Sequence, residues 1–256
     1  MAFKKLKYWF DRELAILLSE KIINVKSDFE KDKFILIIDE KVQDLELKDR
    51  VEVFADALHH HLTTSYTQDI GILIQILGQE NEKETGMFSN YYWIMPIAKY
   101  VEKYGLEDIE LSMNAISEIT KRNTGEYAIR PYLELYTQQT LAVMKLWSKD
   151  ENKHIRRLSS EGLRPRLPWV KKMDIFIENP KPIIPILNNL KDDTSKYVQK
   201  SVANCLNDIL KDNFEIGQNI IDKWNKNATK ERQWIIKHAL RNLLKNKNKW
   251  AMQIIT

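Results

Sequence analysis

The segment at residues 154–169, HIRRLSSEGLRPRLPW, concentrates side chains that are suited to chemistry. Four arginines, Glu161 and Trp169 fall within these sixteen positions. Its Gly and Pro residues end a helix and form a rigid turn, which puts Glu161 and Trp169 at the rim of two elements. A surface arginine commonly serves solubility alone, but Arg164 and Arg166 flank a proline and are suited to grip phosphates. The segment therefore predicts an anion-binding turn that also carries an acid and an indole.

A second candidate site lies in the run YVQKSVANCLND. Asn204, Asn207 and Asp208 interrupt a predicted helix that is otherwise apolar and small. Asn and Asp are poor residues inside a helix because their side chains compete for backbone hydrogen bonds. Their presence indicates either a polar site on an inner helix or hydrogen bonds between packed helices, and the residues alone leave both readings open.

The run TGEYAIRPY is a third candidate. Thr124 is placed to cap a helix whose first turn holds Glu126, and Arg130 precedes Pro131. An acid in a first turn commonly does no more than interact with the helix dipole. By itself this run carries little weight as a site.

Other clusters of reactive side chains do not predict a site. His59, His60 and His61 are consecutive, and consecutive helix positions point in different directions, so they cannot converge on one metal ion. The run Tyr91, Tyr92 and Trp93, further along the chain, fits core packing better than a ligand platform. Phosphate-binding glycine loops, nucleophile elbows and metalloprotease motifs are missing from the sequence.

Composition limits the class of protein. The 256 residues are 43% hydrophobic and 30% charged, which suffices for a folded core. The net charge is only +4 and the pI about 8.8, but Lys and Arg crowd into the C-terminal half. One cysteine, Cys205, excludes an internal disulfide and a cysteine-based zinc cluster. The sequence has no membrane-length apolar run and begins without a secretory signal, so we expect a cytoplasmic protein.

Helices must position these candidate residues. Few Gly and Pro occur, and apolar residues recur at helical spacing. The spacing predicts helices over residues 13–25, 47–62, 68–77, 92–104, 106–121, 129–145 and 153–162. The breaks between them are short and contain Gly, Asn or Pro.

A repeat in the C-terminal half indicates how the helices are arranged. Segments that start near His154, Tyr197 and Trp234 share a polar loop, an aromatic or His residue, a branched apolar residue and a basic neighbour. Their period is typical of HEAT or armadillo helix pairs, in which neighbouring pairs supply the core and inner helices line a curved surface. We therefore predict an all-α fold, a HEAT-like helical-repeat solenoid in which antiparallel helix pairs form a curved superhelix. We expect residues 1–256 to form one domain, with N-terminal helices in 1–98 and the repeats that carry the active face in 99–250.

The repeated Lys and Arg positions would form a basic strip along that surface. Such a strip favours a polyanion, because a line of cations releases counterions from the phosphates that it contacts. A solvated outer face or a protein-binding groove would explain the same pattern. The repeat alone leaves these readings open.

From about Lys99 onward the sequence resembles the AlkC branch of the bacterial DNA alkylation repair glycosylases, a superfamily of HEAT-like proteins that includes the AlkD branch. The matching words are YVEKYGLEDIELSMNAISEIT, GEYAIRPYLELY, LWSKDENKHIRRLSSEGLRPRLPW, LKDDTSKYVQKSVANCLNDILKD and WIIKHALRNLLK. They cover most of residues 99–245 in the family's order. The first hundred residues match the family more in helical character than in sequence motifs.

The resemblance implies a monofunctional DNA glycosylase of base excision repair. It would hydrolyse the N-glycosidic bond of cationic methylated bases, 3-methyladenine and 3-methylcytosine, in double-stranded DNA, with no cofactor and no metal. A cationic base is a good leaving group, so such an enzyme chiefly stabilises the sugar cation and positions a water. The resemblance further implies a bacterial, nucleoid-associated monomer that grips bent duplex without a deep base-flipping pocket.

The resemblance also implies roles for particular residues. The family's catalytic positions fall on Glu126, Glu161, Asp208 and Trp169. Asp208 and Glu161 would stabilise the sugar cation and activate water, Glu126 would assist, and Trp169 would form an aromatic wall. The positions that would hold the DNA backbone are Arg156, Arg157, Arg164, Arg166, Lys200, His238 and Arg241.

Three features depart from the family pattern. Cys205 stands where a second Asn is usual, and Gln199 stands where a basic residue is more common, which would weaken a phosphate contact. Some relatives carry an immunoglobulin-like domain, whereas this sequence ends soon after Trp250, so we expect it to hold DNA without one. The alternative to an enzyme is a non-catalytic HEAT-repeat module that binds nucleic acid or a protein partner through the same surface.

Overall fold

Helices account for all the regular secondary structure of residues 4–63, 65–85 and 88–255, the part of the chain that this computed structural model describes. The prediction of an all-α fold built from packed helices is confirmed. The chain divides into two compact units, one up to Pro131 and the other from Tyr132 onward. That residues 1–256 form one domain stays a prediction. The prediction about a secretory signal falls partly on residues 1–3, which lie outside the described residues.

The first unit packs around helices α3 and α6. Its helices are α1 (Arg12–Ile23), α2 (Lys31–Lys41), α3 (Leu47–His61), α4 (Tyr66–Gln75), α5 (Phe88–Tyr91), α6 (Met95–Tyr104) and α7 (Ile109–Thr120), with 3-10 turns at Leu6–Trp9 and Tyr92–Ile94. Helix α3 lies between α2 and α6, and α7 packs on α4 and α6. Fully buried aromatic residues fill the core between these helices, among them Phe34, Phe54 and Tyr100.

The second unit is built around the long helix α13. Helix α8 (Arg130–Leu135) contains the residues at which the chain divides. It is followed by α9 (Thr137–Trp147), α10 (Lys153–Glu161), α11 (Asp174–Glu178), α12 (Ile184–Leu190), α13 (Lys196–Asp212), α14 (Phe214–Asn225), α15 (Lys230–Ala239), α16 (Arg241–Lys245) and α17 (Lys249–Ile255), with a 3-10 turn at Lys181–Ile183. Helix α13 packs against α10, α14 and α15, and it buries Val198, Val202, Leu206 and Ile209 at helical spacing.

The predicted repeat corresponds to three helices that pack side by side. His154, Tyr197 and Trp234 lie on α10, α13 and α15, and α13 contacts both of the others. A polar loop residue precedes each helix and caps it: side chains of Asn152, Ser195 and Thr229 accept hydrogen bonds from the first-turn backbone N–H groups. The shared polar loop in the sequence is therefore the helix start that each repeat needs.

Two sequence expectations about helix positions are wrong, and some helices were not predicted. The predicted helix at 129–145 is broken at Tyr136, where the Thr137 and Thr140 hydroxyls donate to the carbonyl groups of Leu133 and Tyr132 and compete with the regular ladder. Helix α2 is present where no helix was predicted, because lysines and acids interrupt its short buried stripe.

No helix in the described ranges is long and apolar enough to cross a membrane.

The second error concerns the TGEYAIRPY run. Glu126 does not lie in the first turn of a helix capped by Thr124. It lies in a turn that precedes α8, which begins at Arg130. A proline is tolerated in the first turn of a helix but not in its interior, and Pro131 is the second residue of α8, so the helix begins beside it.

Candidate active site in the second unit

The turn that follows α10 is fixed by backbone hydrogen bonds. The N–H of Gly162 donates to the carbonyl of Leu158 at 2.9 Å and ends the helix, and the N–H of Met173 donates to the carbonyl of Pro165 at 3.0 Å. Glu161 is thus the last residue of α10, and the chain turns immediately after it. This turn places an arginine beside an acid three positions earlier.

Arg164 bridges two buried acids, Glu161 and Asp208, which we call the carboxylate pair. Its Nη1 donates to Oε1 of Glu161 at 2.8 Å, and its Nε donates to Oδ2 of Asp208 at 3.0 Å. The side chains are only 8% exposed in Glu161, 10% in Arg164 and 11% in Asp208. Because α10 and α13 pack side by side, two acids that are far apart in sequence meet at one guanidinium.

The two acids of the pair have opposite electrostatic environments. Burial opposes ionisation of Glu161, but Arg157 and Arg164 together with the Ser201 hydroxyl outweigh it, so the pKa of Glu161 is lowered. Nη2 of Arg157 lies 3.7 Å from Oε1 of Glu161. For Asp208 burial prevails over the hydrogen bond from Arg164, and the neighbouring Glu161 adds to it, so the pKa of Asp208 is raised. The pair therefore joins a firmly ionised acid to one that is more basic than usual.

Trp169, at the far end of the turn, has an unusual backbone and an exposed side chain. Its φ of 65° is in the left-handed region, which bulky residues rarely adopt. Its side chain is not buried in compensation, since the residue is 75% exposed. Strained backbone geometry of this kind clusters at functional sites.

Comparison with known proteins identifies the family. A family model described as "DNA alkylation repair enzyme" matches residues 50–243. This chain belongs to that family. The AlkC-type resemblance of the sequence words is confirmed by a solved structure, the alkylpurine DNA glycosylase AlkC of Pseudomonas fluorescens bound to DNA containing an abasic site analogue. The two chains are 34% identical with a TM-score of 0.90, over 99% of this chain and 69% of that one.

A curated relative gives the same extent of similarity. The uncharacterized protein YhaZ of Bacillus subtilis (strain 168) is 36% identical over 250 residues, which are 97% of this chain and 67% of the relative. The match thus includes the N-terminal hundred residues, where sequence words alone gave only a weak resemblance.

The structure of this DNA alkylation repair family member separates the predicted catalytic residues by unit. Glu161, Asp208 and Trp169 belong to the second unit, and the first two are in contact with Arg164. Glu126 belongs to the first unit, where it is buried. Its catalytic role stays a prediction, as do those of the other three residues.

The predicted DNA-contacting arginines differ in what they contact. Arg156 donates to Asp193 at 2.6 Å, and Arg166 donates two hydrogen bonds from Nε and one from Nη2 to Asp212 at 2.6 to 3.0 Å. Both are therefore engaged with acids of the protein, as Arg164 is. Their roles as phosphate contacts stay predictions, but this geometry favours a part in holding the helices in register.

The other predicted contacts are Lys200, His238, Arg241 and Arg157, which also lies 3.7 Å from Glu161. The guanidinium of Arg157 lies 4.9 Å from the ring centre of Tyr197, and Lys200 is exposed on α13. His238 and Arg241 line an open hollow next to α13. These contacts, too, stay predictions.

Sequence reasoning missed the residues that support the carboxylate pair. Ser201 is buried, accepts a hydrogen bond from the Ser160 hydroxyl at 2.7 Å and contributes to the lowered pKa of Glu161. Asp193 and Asp212 were also missed as arginine partners. The repeat could have indicated Ser201, because it aligns α13 with α10 and the two helices face each other. Which side chain Ser201 contacts depends on helix packing, which the repeat does not specify. In the described residues, no group of three His, Cys, Asp or Glu side chains could hold a metal ion.

Proposed function

We propose that this protein is a monofunctional DNA glycosylase that hydrolyses the N-glycosidic bond of cationic alkylated bases in duplex DNA. The lesions are 3-methyladenine and 3-methylcytosine, and the product is an abasic site for base excision repair. The observation that carries the proposal is the carboxylate pair, Glu161 and Asp208, which is buried, bridged by Arg164 and differently tuned at its two acids.

The chemistry of the leaving group explains why acids are needed. A base with a positive charge departs as a neutral molecule, so the enzyme has little need of a general acid. The positive charge that remains develops on the sugar. A fixed, desolvated carboxylate stabilises such a charge far better than water does, because it needs no reorganisation during the reaction.

The opposite pKa directions suggest a division of labour within the pair. Glu161 stays ionised over a wide pH range, because Arg157 and Arg164 hold its negative charge, and it supplies a constant field at the sugar. Asp208 has the higher pKa and is the better base, so it accepts the proton from the attacking water. Glu126 is the third catalytic acid that the family resemblance implies, with an assisting role.

Trp169 provides the aromatic wall of the site. Its indole is exposed, and an electron-rich ring face attracts a cationic base or sugar. Stacking of a base on an aromatic side chain contributes about 1–3 kcal/mol. A strained backbone that presents an indole to solvent would be hard to explain in a protein that only packs helices.

The comparison with AlkC supports DNA as the partner. That protein is an alkylpurine glycosylase bound to DNA with an abasic site analogue, which is the kind of product this reaction leaves. At 34% identity over 99% of this chain, the same substrate class is the simplest expectation. We propose that this protein acts as a monomer, in the bacterial cytoplasm at the nucleoid.

Base release from methylated DNA tests the proposal. Purified protein is incubated, without added metal, with duplex treated with a methylating agent, and free bases are identified by mass spectrometry. Wild type should release 3-methyladenine and 3-methylcytosine, whereas Asp208→Asn and Glu161→Gln should each be slowed about 100-fold or more. Glu215→Gln, at an exposed acid of α14, is the matched control and should keep full activity.

The outcomes separate the enzyme from a binding module. Salt-dependent duplex binding with no base release by wild type would favour the non-catalytic module. Full activity in both pair variants would refute the catalytic assignment while leaving the glycosylase in place. Release of only one of the two bases would correct the lesion range.

A further inference from the structure

Asn207, which precedes the proposed base Asp208 on α13, uses both ends of its side-chain amide. The residue is only 8% exposed. Its Nδ2 donates to the carbonyl of Ala239 at 2.6 Å, and its Oδ1 accepts from Nδ2 of Asn242 at 3.0 Å. Ala239 ends α15 and Asn242 lies in α16, so the amide is held between these two helices. Asn207 therefore makes hydrogen bonds between packed helices, which is one of the two readings that its sequence run allows.

The amide of Asn207 lies at a break between helices. Helix α15 ends at Ala239 and α16 begins at Arg241, with only Leu240 between them. The last carbonyl groups of a helix need hydrogen-bond partners, and side chains supply two of them here. Nη1 of Arg241 donates to the carbonyl of His238 at 2.8 Å. Asn207 donates to the next carbonyl along the chain, and a helix bends where side chains bond to its ladder in this way.

The break determines where the guanidinium of Arg241 lies. Arg241 is the first residue of α16, and its charge interacts with those of Arg164 and Asp208. The attraction between Arg241 and Asp208 is mutual, so Arg241 favours the ionised form of that acid. Burial, with a smaller contribution from Glu161, acts in the opposite direction and raises the pKa of Asp208. A change in the position of Arg241 would therefore change how readily Asp208 takes up a proton.

We infer that Asn207 is a positioning residue of the site: by fixing the junction of α15 and α16, it places Arg241 where this cation acts on Asp208. The inference rests on the proposed function, in which Asp208 accepts the proton of the attacking water. A carboxylate that serves as a base must be ionised at the working pH, and a nearby cation extends that range to lower pH. Asn207 thus influences the reaction only through Arg241.

A double-mutant cycle on the pH dependence of base release, under single-turnover conditions, tests the inference. Asn207→Ala and Arg241→Gln should each move the acid limb to higher pH, by about 0.5 pH unit or more, because Asp208 loses a nearby cation. The double variant should move the acid limb no further than Arg241→Gln alone, since both changes remove the same interaction. A residue that only packs two helices together would not show this coupling.

A second variant and a control complete the design. Asn242 is exposed, so Asn242→Ala tests the inference even if Asn207→Ala folds poorly. It removes the hydrogen bond that orients the Asn207 amide, and the acid limb should move in the same direction by a smaller amount. Asn204→Ala is the matched control, because Asn204 is a half-buried asparagine on the same helix. It should leave the acid limb unchanged.

The pKa of Asp208 in the free protein is a readout that needs no DNA. Carbon-13 NMR of the aspartate carboxyl groups follows this pKa, and the signal that disappears in Asp208→Asn assigns it. The pKa of Asp208 should rise in Asn207→Ala and in Arg241→Gln, rise no further in the double variant, and keep its wild-type value in Asn204→Ala.

Two results would overturn the inference. The first is an unchanged acid limb and an unchanged pKa of Asp208 in both Asn207→Ala and Asn242→Ala, since Asn207 would then be a packing contact alone. The second is a pair of shifts that add in the double variant, since Asn207 would then act independently of Arg241. An absence of base release by wild type would overturn the proposed function instead, because the titration of Asp208 would still show whether Asn207 acts through Arg241.

Discussion

Replacing Arg164 by Met should destabilise the protein in a pH-dependent way, because Arg164 contacts both acids of the carboxylate pair. Removing one partner of a buried ion pair costs about 3–5 kcal/mol, since the remaining charge stays buried. Glu161 keeps Arg157 at 3.7 Å, so Asp208 suffers the larger loss. We therefore expect the free energy of unfolding to fall by about 3 kcal/mol at neutral pH.

The pH dependence has a definite sign. In wild type the lowered pKa of Glu161 contributes stability above the ordinary Glu range, and this contribution is lost as the pH falls. Without Arg164, burial would raise the pKa of both acids. Their protonation would then relieve the buried charge, so the stability deficit of Arg164→Met should shrink as the pH is lowered from about 7 to about 4.5.

Urea unfolding at the two pH values, followed by circular dichroism, measures this effect, and base release against pH gives a second readout. The acid limb of the rate profile should move to higher pH in Arg164→Met. A base with a raised pKa becomes protonated at a higher pH as the pH is lowered. Arg166→Met is the matched control: its side chain is 26% exposed, more than that of Arg164, so it should cost less than Arg164→Met. Equal stability of wild type and Arg164→Met at both pH values would show that Arg164 does not stabilise the carboxylate pair.

Three further predictions follow from single contacts. Trp169→Gly should be about 1 kcal/mol more stable than Trp169→Ala, as judged by thermal unfolding, because only glycine adopts a φ of 65° without strain, and both should lose base release. Tyr100→Phe should lower the unfolding free energy by about 1–3 kcal/mol, since the hydroxyl of Tyr100 donates to the buried Asp69 at 2.8 Å, while activity per folded molecule is kept. Arg156→Gln should reduce thermal stability and leave the salt dependence of duplex binding unchanged, since Asp193 and backbone carbonyl groups hold its guanidinium.

Each of these predictions has a clear contrary result. Equal melting temperatures of the two Trp169 variants would show that the left-handed backbone carries no strain. A fully stable Tyr100→Phe would mean that Asp69 is satisfied by Thr63, whose backbone N–H and hydroxyl both donate to Oδ1 of Asp69. A smaller salt slope in Arg156→Gln would return that arginine to the DNA-contacting surface.

The sequence predicted the helical fold because its signals are local. Helical spacing of apolar residues and the repeated polar loops before His154, Tyr197 and Trp234 depend on neighbours in the chain. The position at which a helix breaks depends on side-chain hydrogen bonds that the apolar pattern does not show. The hydroxyls of Thr137 and Thr140 break a helix that this pattern predicts to be continuous. Helix α2 escaped prediction for the opposite reason, because its buried stripe is short and its charged residues obscure it.

The sequence predicted which residues belong to the candidate site but not which of them contact one another. The sequence motifs indicated Glu161 and Asp208 as catalytic residues. Both were expected to face DNA beside Arg164, which was expected to bind phosphate. The structure pairs that arginine with the acids at 2.8 and 3.0 Å. Partner choice among several arginines and acids is set by the packing of α10 on α13, which no local pattern in the sequence encodes.

Single-turnover excision of one 3-methylcytosine from a synthetic duplex, at saturating enzyme, tests the catalytic role of the carboxylate pair most directly. The rate constant is compared between wild type, Asp208→Asn and the control Glu215→Gln, with duplex affinity measured in parallel. We expect a rate constant about 100-fold or more lower for Asp208→Asn at undiminished affinity, and no change for Glu215→Gln. An Asp208→Asn variant that excises the base at the wild-type rate would contradict it.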